Sequence, residues 1–400
     1  MIFNDLKILL KGIFPLAALL LAGCSGDLAG PYSDDFSRSD DESALVDAVD
    51  ISADLTRANY MSLTRFSISV YNIQAAGLLA DKLQYVQSGT GMSSSSTWRM
   101  VNNEMKAIAA SPTLDDMDNI LLDANNQSFE YTVPTTNQSM VKIGGKLSFT
   151  RKSVNNKLSL KFVNALSLFN IRARNELEVV DKDNNTLAVT IYVKGFTLHN
   201  IAAKGRFVFT GDYAGAWTAI DDVYYNYTQI LANPIELATT TYKQVADSQV
   251  VVLPQSPELN SWAPEGLDDP SDAYAAANGI AKADSEHKAY IELLCSMTTE
   301  RDGKTIYLWG TENSYTPIYF PYIGSYCPKK WNSINRQGVY NLRILKGEAF
   351  DSNGRPIKPQ AQENGESFEN AEFINIAPTD ENGNDNVDDW EDPNPYNVTI

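Results

Sequence analysis

The chain has 400 residues, 43% of them hydrophobic and 10% aromatic, which is enough apolar material for the cores of two ordinary domains and excludes a wholly disordered protein. Its net charge of -18 repels phosphates, so nucleic acids and anionic lipid headgroups are poor partners. Two histidines and three cysteines leave few ligands for a zinc site and few bases for a catalytic triad.

The first 23 residues have the layout of a secretory signal peptide, with two lysines before an apolar run over residues 13–21 that is too short to span a bilayer. The tetrad Leu-Ala-Gly-Cys that follows is typical of a lipobox, in which the cysteine is acylated and becomes the mature N-terminus. We therefore predict a lipoprotein signal peptide over residues 1–23 and lipidation of Cys24, whose acyl chains would anchor the protein to the outer membrane. The alternative is a plain signal peptide before an incidental cysteine.

Residues 24–57 combine an acidic tether with a first β-strand. The stretch from Asp27 to Asp54 has nine acidic residues and one base, Arg38, which is typical of a solvated linker. Alternation of apolar and polar residues at its end predicts a strand. The apolar face of this strand is formed by Val49, Ile51, Ala53 and Leu55. Arg57 and Ala58 follow it directly.

From residue 58 to about residue 240, short alternating runs separated by turn residues predict a first β-rich block. Clear runs are residues 66–70, 158–162, 176–180 and 187–193. The serine- and glycine-rich stretch 88–97 predicts a surface loop. Asp and Asn residues over 181–185 favour a hairpin turn over a calcium loop, because both residue types tolerate positive φ.

A second β-rich block extends over residues 241–400. Its runs are residues 250–255, 291–297, 305–309, 318–320 and 339–344, and an insertion rich in Ala and Asp over 267–287 has room for a short helix. Many short strands with Gly, Asn, Asp and Pro between them are typical of β-sandwiches. We therefore predict an all-β protein with two sandwich domains in tandem, over residues 58–240 and 241–400.

No motif in the sequence supports catalysis, a cofactor or a bound metal, and we predict that the protein is not an enzyme. The run Gly144-Gly145-Lys146 lacks the first glycine and the Ser or Thr of a phosphate loop. His199 has no second ligand nearby in the sequence, and the many carboxylates single out no pair for glycoside hydrolysis. An aromatic cluster could stack on sugar rings or simply pack within a sheet. It consists of Tyr213, Trp217, Tyr224, Tyr225 and Tyr227.

Five stretches resemble, in order, sequence motifs of the fimbrillin family, the subunits of lipoprotein-derived pili in Bacteroidales-type bacteria. They are residues 158–168, with Asn164 in place of the usual histidine, residues 196–205, residues 252–255, Trp331 with residues 340–344, and residues 387–390. The resemblance rests on the order of these stretches behind a lipobox.

The resemblance implies two transthyretin-like β-sandwich domains and a structural subunit of a surface fimbria that supports adhesion. It also implies that an arginine-specific protease removes the first strand, and that copies of the protein or related pilins then fill one another's grooves by donor-strand exchange. Arg57 and Ala58 fit the cleavage site, because a cut between them removes the predicted strand whole. Arg38 and Arg65 are the alternative sites.

The C-terminal segment would supply the donor strand, with apolar side chains at alternate positions. The candidate donor residues are Phe373, Ile374, Ile376, Val398 and Ile400. The ordinary alternative is an edge strand that closes the second sandwich. An uncut anchor or tip subunit, and a monomeric surface lipoprotein that binds glycan through the aromatic cluster, also stay open.

Cys295 and Cys327 would lie in an envelope compartment where thiols can oxidise. They either form a disulfide or stay as two separate buried thiols.

Overall fold

The computed structural model of the chain describes residues 45–52, 63–88, 91–219, 223–255, 260–266, 269–322, 337–360, 368, 371–376 and 396–399. Several residues predicted to act in function lie outside these ranges. They are Cys24, Arg57, Ala58, Cys327 and Ile400.

Strands form nearly all of the regular structure, so the prediction of an all-β protein is confirmed. In chain order the strands are β1 (Leu45–Ser52), β2 (Arg65–Asn72), β3 (Gly77–Ser88), β4 (Gly91–Arg99), β5 (Met105–Ser111), β6 (Asp118–Leu122), β7 (Gln127–Thr132), β8 (Lys142–Phe149), β9 (Ser159–Asn164), β10 (Ser167–Asn175), β11 (Leu177–Val180), β12 (Thr186–Ala188), β13 (Thr190–Ala202), β14 (Lys204–Gly211), β15 (Ala214–Ala219), β16 (Tyr224–Glu236), β17 (Lys243–Gln244), β18 (Val250–Val252), β19 (Tyr290–Arg301), β20 (Lys304–Trp309), β21 (Thr316–Pro321), β22 (Gln337–Ile344), β23 (Glu372–Asn375) and β24 (Tyr396–Thr399). The helical segments are a 3-10 turn (Leu114–Asp116), α1 (Asp272–Asn278) and α2 (Ile280–Ser285).

The largest sheet has eight strands in the order β1-β24-β9-β8-β5-β2-β3-β4 and closes between β4 and β1. β2 and β5 lie in its middle and are buried along almost their whole length. Phe66, Ile68 and Ile108 in these strands have no exposed surface. The sheet therefore has its own firmly packed centre, opposite the side where the two ends of the described chain pair.

β4 shows that the prediction of a surface loop over residues 88–97 is wrong. The strand pairs antiparallel with β3, with Val86 opposite Ser93. Met92 and Trp98 near its two ends are buried, while most of the residues between them are exposed. Two apolar side chains thus hold a serine-rich strand against the core, and pairing with β3 binds its backbone groups. In the sequence, the serine run hides the alternation that would have predicted the buried ends of this strand and its pairing with β3.

Four smaller sheets complete the fold. In the first of them, β10 pairs with β17, β18 and β22. The second and third have the strand orders β12-β11-β23 and β16-β13-β19-β20, and β21 also pairs with β19 in the third. The fourth has the order β15-β14-β7-β6. β22 lies parallel to β10 over eight register pairs, from Leu168 opposite Gln337 to Asn175 opposite Ile344. This pairing joins chain segments from both sides of residue 240.

One hydrophobic cluster extends from Ile108 to Phe373. Phe169 on β10 is fully buried in it, and the rings of Phe196, Tyr322 and Tyr340 lie with their centroids 5.7 to 6.3 Å from its own. By their contacts, the described residues from Val46 onward belong to one compact unit. The division at residue 240 and the tandem sandwich domains stay predictions.

Three turns use one device, an Asp carboxylate that accepts backbone N–H groups from residues further along the chain. Oδ1 of Asp181 accepts from Asp183 and Asn185, both at 2.8 Å. Asp123 and Asp351 form the same arrangement. The hairpin predicted at 181–185 is confirmed, since β11 and β12 pair antiparallel around it.

The insertion that the sequence marks as rich in Ala and Asp contains α1 and α2. Ser271 caps α1 with its Oγ, which accepts the N–H of Tyr274 at 3.2 Å. Ile280 and Ala283 of α2 pack in a second small core with the rings of Trp262 and Tyr290. Within the described ranges, no helix combines the length and the apolar character needed to cross a membrane.

Candidate strand-exchange interface

The C-terminal strand β24 lies in the largest sheet beside β9, which it follows by more than two hundred residues in the sequence. The two strands are antiparallel and share four register pairs, from Tyr396 opposite Phe162 to Thr399 opposite Ser159. The far end of the chain therefore completes a sheet that is otherwise built from residues before 165.

The first strand β1 pairs with the other edge of β24. The pairing is antiparallel and has three register pairs, which include Ile51 opposite Val398 and Ser52 opposite Asn397. The strand that the sequence predicts to be removed and a strand that it predicts to be donated are thus neighbours in one sheet.

β9 offers β24 a template with two different faces. Leu160 and Phe162 are 1% and 0% exposed, and the ring of Phe162 lies 5.1 Å from that of Phe66. On the other face, Ser159 is exposed and Lys161 is half-buried. Nζ of Lys161 lies 3.9 Å from the centre of the Tyr213 ring. A slip of one residue would exchange an apolar face for a polar one, so a strand added here has a defined register.

The two glycines of the rejected phosphate loop lie in β8, where this strand passes close to its neighbours. A Cβ on Gly144 would lie 2.8 Å from the backbone oxygen of Lys161 in β9, and one on Gly145 would lie 3.0 Å from the backbone oxygen of Ala107 in β5. The glycines therefore permit close strand packing. Nζ of Lys146 lies 2.6 Å from Oδ2 of Asp212, so this lysine is held in an ion pair.

The predicted donor residues fall into two groups with different surroundings. Phe373 and Ile374 belong to β23, which pairs with β11 in a sheet of the same chain, and Phe373 is 2% exposed in the main core. The N–H of Ile376 donates to the backbone oxygen of Glu176 at 2.9 Å. Val398 lies in β24 beside β9. β23 is thus an edge strand packed against the main core, whereas β24 lies between β1 and β9 in the largest sheet.

Cys295 lies in β19 with no exposed surface, and burial raises the pKa of its thiol. Its Sγ is 3.8 Å from the backbone oxygen of Thr316. A buried neutral thiol is a poor nucleophile. The disulfide with Cys327 stays a prediction, because Cys327 lies outside the described residues.

The aromatic cluster of the sequence does not converge on one surface. Tyr227 is 1% exposed and donates its hydroxyl to the backbone oxygen of Val133, while the indole of Trp217 packs edge-on against Phe129. Tyr213 and Tyr225 are exposed. Tyr227 and Trp217 therefore follow the packing alternative, whereas Tyr213 and Tyr225 keep surface that is open to solvent.

The two histidines are held by stacking. The ring of His199 lies 4.3 Å from that of Tyr290, and its Nε2 is 2.9 Å from a carboxylate oxygen of Glu292. The ring of His287 lies 4.9 Å from that of Tyr224. Among the described residues, no three His, Cys, Asp or Glu side chains are grouped as a metal site would require.

Two of the open clefts in the described part of the chain have volumes of about 460 and 600 Å³. The first is lined by Trp309, Tyr319 and the segment 351–360, and the second mostly by Ser, Thr, Asn and Gln side chains. Neither lining contains a histidine or a cysteine. Neither cleft therefore has in its lining the histidine base of a Ser-His or Cys-His arrangement.

Two buried carboxylates tie strands together. Glu130 on β7 is bound by Arg206, with its nearest nitrogen at 2.5 Å, and by Asn119 at 2.7 Å. Hydrogen bonds from Arg206 and Asn119 lower the pKa of Glu130 to about 2. Glu176 joins β10 to the parallel strand β22, because both Arg174 and Arg343 donate to its carboxylate.

The role of β9 could not be predicted from the sequence. Its alternation predicts a strand, but nothing in six residues identifies the strand that lies beside it. The only available signal is a matching alternation in the last five residues, which is too short to identify a partner.

No protein-family model matches the chain, and no curated protein matches its sequence. Solved structures do resemble it. A candidate cell adhesion protein from Parabacteroides distasonis is 9% identical, with 87% of this chain and 100% of that one covered and a TM-score of 0.46. A second, from Bacteroides uniformis, is 11% identical, with coverages of 77% and 96% and a TM-score of 0.36.

The tip fimbrial protein Mfa3 from Porphyromonas gingivalis, with a C-terminal truncation, is 12% identical over 76% of this chain and 95% of that one, with a TM-score of 0.29. At such identities and TM-scores, the likeness says nothing about the partners or the chemistry of this chain.

Proposed function

We propose that the protein is a structural subunit of a surface fimbria, without catalytic activity, which assembles by donor-strand exchange with copies of itself or with related pilins. The observation that carries this proposal is the pairing of β24 with β9. A terminal strand that completes a sheet far from its own position in the sequence can make the same pairing with another copy of that sheet.

The backbone supplies most of the binding in such an exchange. An added strand forms hydrogen bonds along the whole edge of its acceptor, while side chains at alternate positions set the register. Over the four residues of β9 that pair with β24, Leu160 and Phe162 are buried on one face, and the opposite face carries the polar Ser159 and Lys161. The acceptor edge therefore selects a short alternating strand, and β24 is the one that occupies it here.

The proposal includes the processing steps that the sequence predicts. Lipidation of Cys24 would hold the precursor at the outer membrane with its folded part at the cell surface, and an arginine-specific protease would then cut between Arg57 and Ala58. The cut would remove β1 together with the lipid and the acidic tether. The trimmed subunit would be free to join a fimbria that supports adhesion.

Two single-cysteine variants test the exchange directly. Lys161→Cys places a thiol on β9 and Asn397→Cys places one at the opposite position of β24, both in a chain that also carries Cys24→Ser and Cys327→Ser. The two variants are cut with the protease, mixed at high concentration and oxidised gently. We expect a disulfide that links one molecule of each kind, identified by mass after separation in denaturant.

The control replaces Lys161→Cys by Lys304→Cys, which is also a lysine on a strand but is exposed and lies on β20, in a different sheet from β9. This pair should give only background cross-linking. Equal cross-linking of both pairs, or none with Lys161→Cys while the cut chain stays monomeric, would exclude donor-strand exchange by β24.

A further inference from the structure

β1 and β24 lie side by side, which is not what simple replacement of one strand by another requires. If a donor strand merely took the place of β1, the two would occupy the same position against β9. Here β24 already lies on β9 in the same chain, and β1 lies on β24. The strand that proteolysis would remove is therefore paired with the donor strand itself.

We propose that β1 is a latch that holds β24 in its own chain, so that a single cut releases the donor strand as well as opening the sheet. This inference rests on the proposed function and adds its regulation. Before the cut, β24 is held on both edges, by four register pairs with β9 and three with β1. After the cut, only the β9 edge remains.

The position of β1 allows it to control whether β24 can leave its own sheet. β24 has four residues, and a strand of this length does not persist without its neighbours. β9 is held independently of it, because its other edge pairs with β8 and Leu160 and Phe162 are buried in the core. Loss of β1 should therefore loosen β24 much more than it loosens β9.

The closed sheet gives β1 a second role in the same step. Its other neighbour in the strand order is β4, so its removal also opens the sheet between β4 and β24. A precursor that keeps β1 has neither a free donor strand nor an open sheet edge at this place. It should be unable to exchange strands with its neighbours, which keeps the subunit monomeric until it is cut.

Hydrogen exchange of the backbone amides, read by mass spectrometry on the full chain, tests the latch. Dilute uncut and cut samples are compared, so that the cut chain is still monomeric. We expect amide exchange in residues 396–399 to become at least about tenfold faster after the cut, because several backbone hydrogen bonds to β1 are lost. Exchange in β5, residues 105–111, should not change. Equal rates for residues 396–399 before and after the cut would overturn the latch.

A variant separates the latch from proteolysis itself. Ile51→Pro removes a backbone donor from β1 opposite Val398 and should speed exchange of residues 396–399 in the uncut chain. In the reverse experiment, a disulfide between Ile51→Cys and Val398→Cys should keep these amides slow after the cut until it is reduced. A second pair, Asp50→Cys with Thr399→Cys, covers the alternation of wide and narrow pairs in antiparallel strands.

The matched control is a disulfide between Val86→Cys and Ser93→Cys, an exposed register pair across β3 and β4 in the same sheet. With this disulfide in place, amide hydrogen exchange in residues 396–399 should still become faster after the cut. The latch and the proposed function can fail separately. If inter-subunit disulfides form while amide hydrogen exchange in residues 396–399 stays unchanged, the fimbrial function is kept and the latch is refuted. If amide hydrogen exchange becomes faster but no inter-subunit disulfide forms, donor-strand exchange by β24 is refuted.

Discussion

Glu176→Gln tests whether the buried ion cluster between β10 and β22 stabilises this part of the fold. The wild-type carboxylate, 9% exposed, accepts hydrogen bonds from Arg174 and from Arg343, whose two nitrogens lie at 2.8 and 2.5 Å. The amide keeps the shape of the side chain and removes its charge. Its NH₂ group also turns a donor toward guanidinium groups that can only donate.

The expected cost follows from how much water reaches the cluster. Removal of one partner from a fully buried pair costs about 3–5 kcal/mol. The side chains of Arg174 and Arg343 keep 19% and 26% of their exposure, so water compensates part of the loss. We expect the free energy of unfolding to fall by about 2–3 kcal/mol, which for a compact unit of roughly 350 residues lowers Tm by about 3–4 °C.

Urea unfolding at pH 7 measures this change, with Glu372→Gln as the matched control. Glu372 is also in an ion pair, with Lys346 at 3.2 Å, but its side chain is 71% exposed, so its substitution should lower the free energy of unfolding by less than about 1 kcal/mol. Equal losses for the two variants would refute the idea that burial gives the Glu176 cluster its strength.

The pH dependence supplies a second check on Glu176. Burial raises the pKa of this carboxyl, and hydrogen bonds from Arg343 and Arg174 outweigh burial, so its pKa in the folded protein lies below the ordinary value. A lowered folded-state pKa means stability that is present above the unfolded-state pKa and is lost as pH falls through the folded-state value. The gap between wild type and Glu176→Gln should therefore narrow in acid.

Three further substitutions give predictions that urea unfolding can measure. Glu130→Gln should destabilise the protein at pH 7. The difference in free energy of unfolding from wild type should close as pH falls from about 4.5 to about 2, because the pKa of Glu130 is lowered from 4.5 to about 2. A difference that does not depend on pH would contradict this assignment. Phe162→Ala removes a fully buried ring and should cost about 3–4 kcal/mol, while Lys161→Ala on the opposite face of β9 should cost less than about 1 kcal/mol. Gly144→Ala should lower the free energy of unfolding by about 1–3 kcal/mol, because its Cβ would lie 2.8 Å from a backbone oxygen. Gly211→Ala should lower it clearly less, because its Cβ would meet its nearest neighbour at 3.5 Å. Equal losses of stability would mean that strand spacing at β8 does not matter.

The sequence was sufficient to predict most strands because alternation of apolar and polar residues records which face of a strand is buried. The runs at residues 66–70, 291–297 and 305–309 all lie in observed strands. The prediction failed at β4, where serines fill the positions between two buried anchors, Met92 and Trp98. Alternation is invisible when the exposed and half-exposed positions are small and polar and only the ends carry apolar side chains.

Strand partners could not be predicted in the same way. Alternation fixes the face of a strand and carries no record of its neighbour, so neither the parallel pairing of β22 with β10 nor the pairing of β24 with β9 follows from the sequence. The candidate donor residues show the consequence. Phe373 and Val398 both belong to short apolar runs near the C-terminus, but only the second run lies at the sheet where β1 also lies.

The competition between a strand's own chain and a neighbour's leads to a last prediction. β24 would make the same backbone pairs with β9 in either case, so the choice depends on concentration. A connection of 19 residues, 377–395, gives the tethered strand an effective concentration on the order of 1 mM if it behaves as a flexible chain. In dilute solution β24 should therefore return to its own β9 even after the cut.

The fraction of inter-subunit disulfide in the cut mixture of Lys161→Cys and Asn397→Cys chains should rise with total subunit concentration and approach half of its maximum on the order of 1 mM. Membrane anchoring before cleavage would bring subunits to high local concentration, which gives the predicted lipid a physical part in assembly. A fraction that stays constant from micromolar to millimolar concentration would contradict competition between the two acceptors. It would mean instead that β24 leaves its own sheet irreversibly once β1 has gone.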